Sequence, residues 1–156
     1  MTTKIAPKEP RLPPKWFIRT AWMVHRAIYR LTRGRFGLWP AAGKKWGTFL
    51  LTTVGRRSGK ERRAILGYYE DGANIVTMAM NGWMAPEPAW WLNLQAHPDA
   101  TIEMAEGSRA VRGRAAEGEE LDRLLAMFRG SEDNMDGYLK RRPNGTAIVV
   151  LEPRAA

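Results

Sequence analysis

Nine consecutive residues carry most of the chemistry visible in this chain. Gly55-Arg56-Arg57-Ser58-Gly59-Lys60-Glu61-Arg62-Arg63 sets five cations against one acid. Guanidinium forks meet phosphate or carboxylate oxygens two at a time, a serine hydroxyl donates a further bond, and glycines let a turn expose its amides. The segment therefore reads as a cradle for an anion. It is not a Walker loop, because three residues rather than four separate Gly55 from Gly59, and Glu61 follows Lys60 where Ser or Thr is required. A solvated hairpin tip would have the same composition, so the segment alone leaves both readings open.

A second cluster follows, Asn81-Gly82-Trp83-Met84-Ala85-Pro86-Glu87-Pro88-Ala89-Trp90-Trp91-Leu92-Asn93-Leu94. A loop that leaves a strand and enters a tryptophan-rich helix offers backbone groups and flat apolar walls to a planar heteroaromatic ring. Trp91 and Leu94 are expected core anchors. Asn93, an amide among apolar residues, either bonds locally or meets a ligand.

The elements that must hold these clusters are short. Trp46 to Val54 reads as a strand, and a second around Arg63 to Glu70 completes a hairpin across the basic turn. Asp71-Gly72 turns the chain into a third strand, Asn74 to Met80. Pro88 opens a helix over Ala89 to Ala96, which His97-Pro98 closes. Ala100 to Ala105 and Arg109 to Ala115 form a second hairpin, Glu117 to Phe128 a helix with an apolar stripe, and Thr146 to Glu152 a last strand. Six short strands with peripheral helices are most economically closed into a small antiparallel barrel, which removes exposed edges. The fold class is thus mainly β, with residues 46–156 as the barrel domain.

Residues 1–45 are read as a flexible, proline-bearing lead-in followed by a basic amphipathic helix. Phe17, Ala21, Val24, Ile28 and Leu31 fall on one stripe, and Lys15, Arg19, Arg26, Arg30 and Arg33 on the opposite one. Such a helix can lie in an anionic membrane interface, or its apolar stripe can cover the barrel. The net charge of +9 belongs to this extension: residues 1–46 carry eleven Lys and Arg against Glu9, and the remainder fourteen against fifteen acids. A near-neutral body without a nucleic-acid motif argues against nucleic-acid binding. Cysteine is absent, which excludes thiolate catalysis and disulfides, and His25 and His97 lack metal-ligand spacing, so no metal is expected. No apolar run reaches a membrane span and no signal peptide is evident, so a cytoplasmic protein is expected.

Taken together, Leu50-Leu51-Thr52-Thr53-Val54-Gly55-Arg56-Arg57-Ser58-Gly59, Asp71-Gly72, Asn81-Gly82, Pro88-Ala89-Trp90-Trp91-Leu92-Asn93-Leu94, His97-Pro98 and Val149-Val150-Leu151-Glu152-Pro153 resemble the deazaflavin (F420)-dependent nitroreductase family of the flavin/deazaflavin oxidoreductase superfamily. The resemblance covers about residues 46–153. It implies a split β-barrel binding coenzyme F420, a deazaflavin whose phosphate and glutamate tail are anionic. Position by position, it implies that Arg56, Arg57, Ser58, Lys60 and Arg62 hold the tail, and that Ile65, Met80, Asn81, Gly82, Trp90 and Asn93 border the ring. The implied reaction is hydride transfer to an enone, quinone or nitroaromatic, in a monomer or homodimer. Some relatives carry a Ser-Lys pair where this chain has Met80-Asn81, and several pocket tyrosines where it offers mainly Tyr138. That counts against nitro reduction and leaves Tyr138 as the candidate proton or hydrogen-bond donor. The same barrel could instead carry F420 or a fatty acyl ligand without turnover, or hold FMN or haem. The length of the basic turn favours the more anionic tail.

Overall fold

The computed structural model describes residues 12–32 and 37–155. The proline-bearing lead-in up to residue 11, together with Arg33 and Gly34, lies outside the described residues. Helix α1 (Lys15–Leu31) precedes strands β1 (Gly47–Val54), β2 (Glu61–Asp71) and β3 (Asn74–Met78). A 3-10 turn (Asn81–Trp83) and α2 (Ala89–Ala96) lead to β4 (Asp99–Met104) and β5 (Gly107–Ala115), followed by α3 (Gly118–Ser131), α4 (Met135–Leu139) and β6 (Ile148–Pro153).

The six strands close into a barrel in the order β1-β2-β3-β6-β5-β4, and every neighbouring pair is antiparallel. Closure comes from three long-range pairings, β1 with β4, β3 with β6 and β5 with β6. Period-2 alternation sends the side chains of β6 to two different cores. Val149 and Leu151 join Phe49, Tyr68, Ile102 and Val111 in the barrel interior, whereas Ile148 and Val150 join Leu124, Phe128 and Met135 under α3 and α4. Both faces of β6 are therefore buried, which is why its sequence is an unbroken apolar run. The interior is closed at one end by Trp91 and Leu94 of α2. Leu94 approaches β5 at Gly113, where an added Cβ would stand 3.0 Å from the Leu94 side chain.

Boundaries differ from the sequence expectation in ways that bear on function. Strand β2 begins at Glu61, so Arg62 and Arg63 are strand residues opposite Thr53 and Thr52, and only residues 55–60 form the turn. Strand β3 stops at Met78 because the chain enters left-handed backbone at Asn81, Gly82 and Trp83. The five-residue α4 is too short to carry a recognisable period.

Helix α1 buries none of its residues. Its apolar stripe does not cover the barrel: Phe17 is 51% exposed, Val24 52% and Leu31 84%. Instead the helix turns Ile18, His25 and Tyr29 towards the body. Tyr29 donates its hydroxyl to Glu103 of β4 at 2.9 Å, and partial burial together with that carboxylate raises its pKa. His25 bonds the Gly37 carbonyl at 2.9 Å and stacks between Trp22 and Trp39.

Candidate functional site

The β1-β2 turn is built by its own backbone. Gly55 donates to the Lys60 carbonyl and Gly59 to the Gly55 carbonyl, both at 2.8 Å, with Gly59 at φ +66° where an L side chain would be strained. The Ser58 hydroxyl accepts from the Lys60 amide at 3.3 Å and from the Arg62 guanidinium at 3.4 Å. A Cβ on Gly55 would stand 2.7 Å from Ser58 Oγ, so the turn has no room for a side chain there.

Asn93 ties this turn to α2. It is 3% exposed, its Oδ1 accepts from the Arg56 amide at 3.1 Å and from the Arg56 guanidinium at 3.3 Å, and its Nδ2 donates to Thr53 Oγ1 at 3.3 Å. The amide that stood out among apolar residues is thus a local anchor. Each of its polar atoms is satisfied, which is what allows it to be buried.

The turn opens onto a cavity of about 560 Å³. Arg26, Arg56, Arg57, Arg62 and Arg63 line it, and neither Asp nor Glu is among the lining residues. Arg63 also approaches Glu61 at 3.6 Å on the exposed surface. Ile65, Leu66, Met78, Met80 and Trp90 supply an apolar wall. One end of the chemistry is cationic and the rest is flat and greasy, which suits a planar ring carrying an anionic tail. The absence of carboxylates from the lining and the glycine-tight turn fit the tail of F420.

Of the residues singled out in the sequence, the cavity gathers Arg56, Arg57, Ser58, Arg62, Ile65, Met80, Asn81, Trp90 and Asn93. Lys60 and Gly82 are not in its lining, although each is next to residues that are or shares their turn. Tyr138 is also outside it: its ring stacks on Trp83 at 5.1 Å and 18°. The cavity adds Trp22 and Arg26 from α1, and Thr77 from β3. Their i, i+4 spacing places Trp22 and Arg26 on one side of the helix, but helical geometry could not say that this side faces the turn. Among the described residues there is no cluster of His, Asp and Glu suited to a metal.

Comparison with known proteins gives the family and the fold. A family model described as F420H(2)-dependent quinone reductase matches residues 22–153. An F420H(2)-dependent quinone reductase of Mycobacterium tuberculosis is 30% identical over 135 residues, covering 84% of this chain and 89% of the relative. A second chain from that organism is 31% identical over 107 residues, covering 69% and 90%. Among solved structures, an F420-H2 dependent reductase, FDR-A, superposes with a TM-score of 0.60 at 23% identity over 67% of this chain and 93% of that one, which shows the shared fold. A structure described as a domain-swapped dimer gives 0.62 at 21% identity, covering 86% and 99%. The arginine-lined cavity and the match across the barrel converge: the chain belongs to the F420H(2)-dependent quinone reductase family, and is an oxidoreductase with coenzyme F420 as its cofactor.

Proposed function

We propose that this chain reduces an apolar electrophilic acceptor, a quinone in preference to an enone or a nitroaromatic, by hydride transfer from reduced F420. The observation that carries this reading is a cavity whose lining joins five arginines to an apolar wall of Ile65, Met80 and Trp90 and includes no acidic residue. When bound and reduced, the deazaflavin supplies the hydride. The protein's part is to bind, orient and keep water out. Arg56, Arg57 and Arg62, with the Ser58 hydroxyl, hold the phosphate and glutamate tail, and Lys60 adds positive potential beside them. Asn93 holds the turn in its binding shape. Ile65, Met80, Asn81, Gly82 and Trp90 border the ring. Tyr138 stacks on Trp83 in the ring-side loop, so its proposed role is to support that loop.

Fluorescence quenching of F420 by the purified protein tests the cradle. Replacing both Arg56 and Arg57 by Ala removes two charge-assisted contacts, each worth about 1.5 to 3 kcal/mol, and should weaken binding at least a hundredfold. Undiminished binding by that variant would show that the tail sits elsewhere. Turnover with reduced F420 and a panel of menaquinone analogues, cyclohexenones and nitroaromatics ranks the acceptors.

Residues 1–45 are proposed as a separate functional part that brings the barrel, residues 46–156, to an anionic membrane surface on the cytoplasmic face. The exposed stripe of Phe17, Ala21, Val24 and Ile28, with Lys15, Arg19 and Arg30 along its polar side, supports this reading. No helix among the described residues is long and apolar enough to cross a membrane. Co-sedimentation with phosphatidylglycerol vesicles should fall sharply for a Phe17→Glu/Ile28→Glu variant. Equal pelleting of parent and variant would refute the proposal.

A further inference from the structure

The loop between β3 and α2 is held in an unfavourable shape. Asn81, Gly82 and Trp83 stand at φ 43°, 62° and 62°, three successive residues in the left-handed region, one of them a tryptophan. Such backbone persists where its surroundings over-determine it. Two contacts inside or beside the loop contribute: Asn81 Nδ2 donates to the Pro86 carbonyl at 2.9 Å, and the Trp83 ring lies on Tyr138. The third constraint comes from a residue that does not line the cavity. Arg142, in the turn after α4, has a side chain only 1% exposed. Its Nη1 donates to the carbonyl of Ala79 at the loop's start, and its Nη2 meets Glu87 Oε1 at 2.6 Å at the loop's end. The residues just inside these two points, Met80 and Asn81 after Ala79, and the one just beyond, Pro88, all line the cavity.

We infer that Arg142 is a positioning residue: one guanidinium staples both ends of the Met80–Pro88 loop, and so sets where the ring-side wall of the cavity stands. Ala79 is itself fixed, since its amide donates to the Ala147 carbonyl at 2.9 Å. The staple is badly designed for stability alone. Glu87 Oε2 and Arg142 Nε are buried without a hydrogen-bond partner among the described residues, so the pair bears desolvation that it only partly recovers. What a planar two-armed donor does well is fix two chain points relative to each other, which a lysine or an apolar side chain cannot do. The inference rests on the proposed binding of the ring against Met80 and Asn81.

The test uses Arg142→Lys, Arg142→Met, Glu87→Gln and the double variant Arg142→Met/Glu87→Gln of the full chain. Melting temperature, near-ultraviolet circular dichroism, F420 binding and steady-state turnover with a menaquinone analogue are measured for each. The single Arg142→Met change leaves the half-buried Glu87 carboxylate, 35% exposed, without its cation and should lower the melting temperature. The double variant removes that charge and should recover most of it. Turnover in the double variant should nevertheless stay about tenfold or more below the parent, the order of loss expected when a wall is misplaced by about an ångström. F420 affinity should change less than threefold, because the arginine turn is untouched. Recovery of turnover together with melting temperature in the double variant would overturn the inference and leave an ordinary structural ion pair. Arg142→Lys and the double variant carry the test if Arg142→Met does not fold. A parent protein that fails to bind F420 would refute the proposed function, and the staple is then judged on the dichroism of the stacked Trp83 and Tyr138. Loss of that signal in the folded double variant supports the staple, and an unchanged spectrum overturns it.

Discussion

Replacing Asn93 by Ala should uncouple the basic turn from the barrel. The side chain is 3% exposed and makes three hydrogen bonds, one at 3.1 Å to the Arg56 amide and two at 3.3 Å to the Arg56 guanidinium and Thr53. Counting the shorter bond at about 1 kcal/mol and each longer one at about 0.5 kcal/mol gives a loss of about 2 kcal/mol. The effect on binding follows from the fraction of molecules whose turn keeps its shape. If about 1.4 kcal/mol of that loss falls on the turn, its equilibrium shifts about tenfold away from the cradle shape and the apparent Kd for F420 rises by up to about tenfold. Urea denaturation measures the first quantity and quenching of F420 fluorescence the second. A variant within about 0.5 kcal/mol of the parent that binds F420 equally well would refute the anchoring role, because deletion of a buried, fully bonded amide exceeds the range of an inert surface change.

Other outcomes follow from the same geometry. Gly55→Ala forces Ser58 Oγ away from a Cβ only 2.7 Å distant, so it should cost about 1 kcal/mol and weaken F420 binding severalfold while leaving the melting transition cooperative. A binding constant equal to the parent's would show that Ser58 and the turn amides are idle. Leu124→Ala empties a fully buried site between α3 and the outer face of β3 and β6, and should destabilise by about 3 kcal/mol with cofactor affinity unchanged, read by urea denaturation and titration. The Arg123 guanidinium holds the Asp71 carboxyl below the usual carboxylate range, and Arg114 does the same to Glu120. A carboxyl lowered in the folded state contributes stability that is present above its unfolded pKa, near 4, and disappears as pH falls through the folded value. The melting temperature should therefore decline below about pH 5, and Asp71→Asn/Glu120→Gln should flatten that decline. Both arginines are well exposed to solvent and their ion pairs are screened, so an unaltered acid limb would assign the decline to other carboxylates.

Much of the site was legible because its parts are local. The turn's composition, its two glycines and the strands flanking it are neighbours in sequence, and β-branched runs ended by Gly, Pro and Asp-Gly mark the strands directly. The same holds for α2, whose proline start and His97-Pro98 stop bracket it. Asn93 was visible as an anomaly but not as an anchor, since its partners Thr53 and Arg56 are about forty residues away. Arg62 looked like a turn residue until the register placed it opposite Thr53.

What the amino-acid order determined by itself is the set of strands, the cationic turn, and the amphipathic character of α1. Each follows from backbone preference and side-chain period over a few residues. Tertiary structure decided three further things: that the barrel closes through β1 with β4, β3 with β6 and β5 with β6, that α1 turns Trp22 and Arg26 to the cavity and its apolar stripe outward, and that Arg142 reaches back across sixty-three residues to Ala79. Each of these depends on which distant surfaces fit together. Packing and long-range pairing set that fit, and local periodicity carries no record of it.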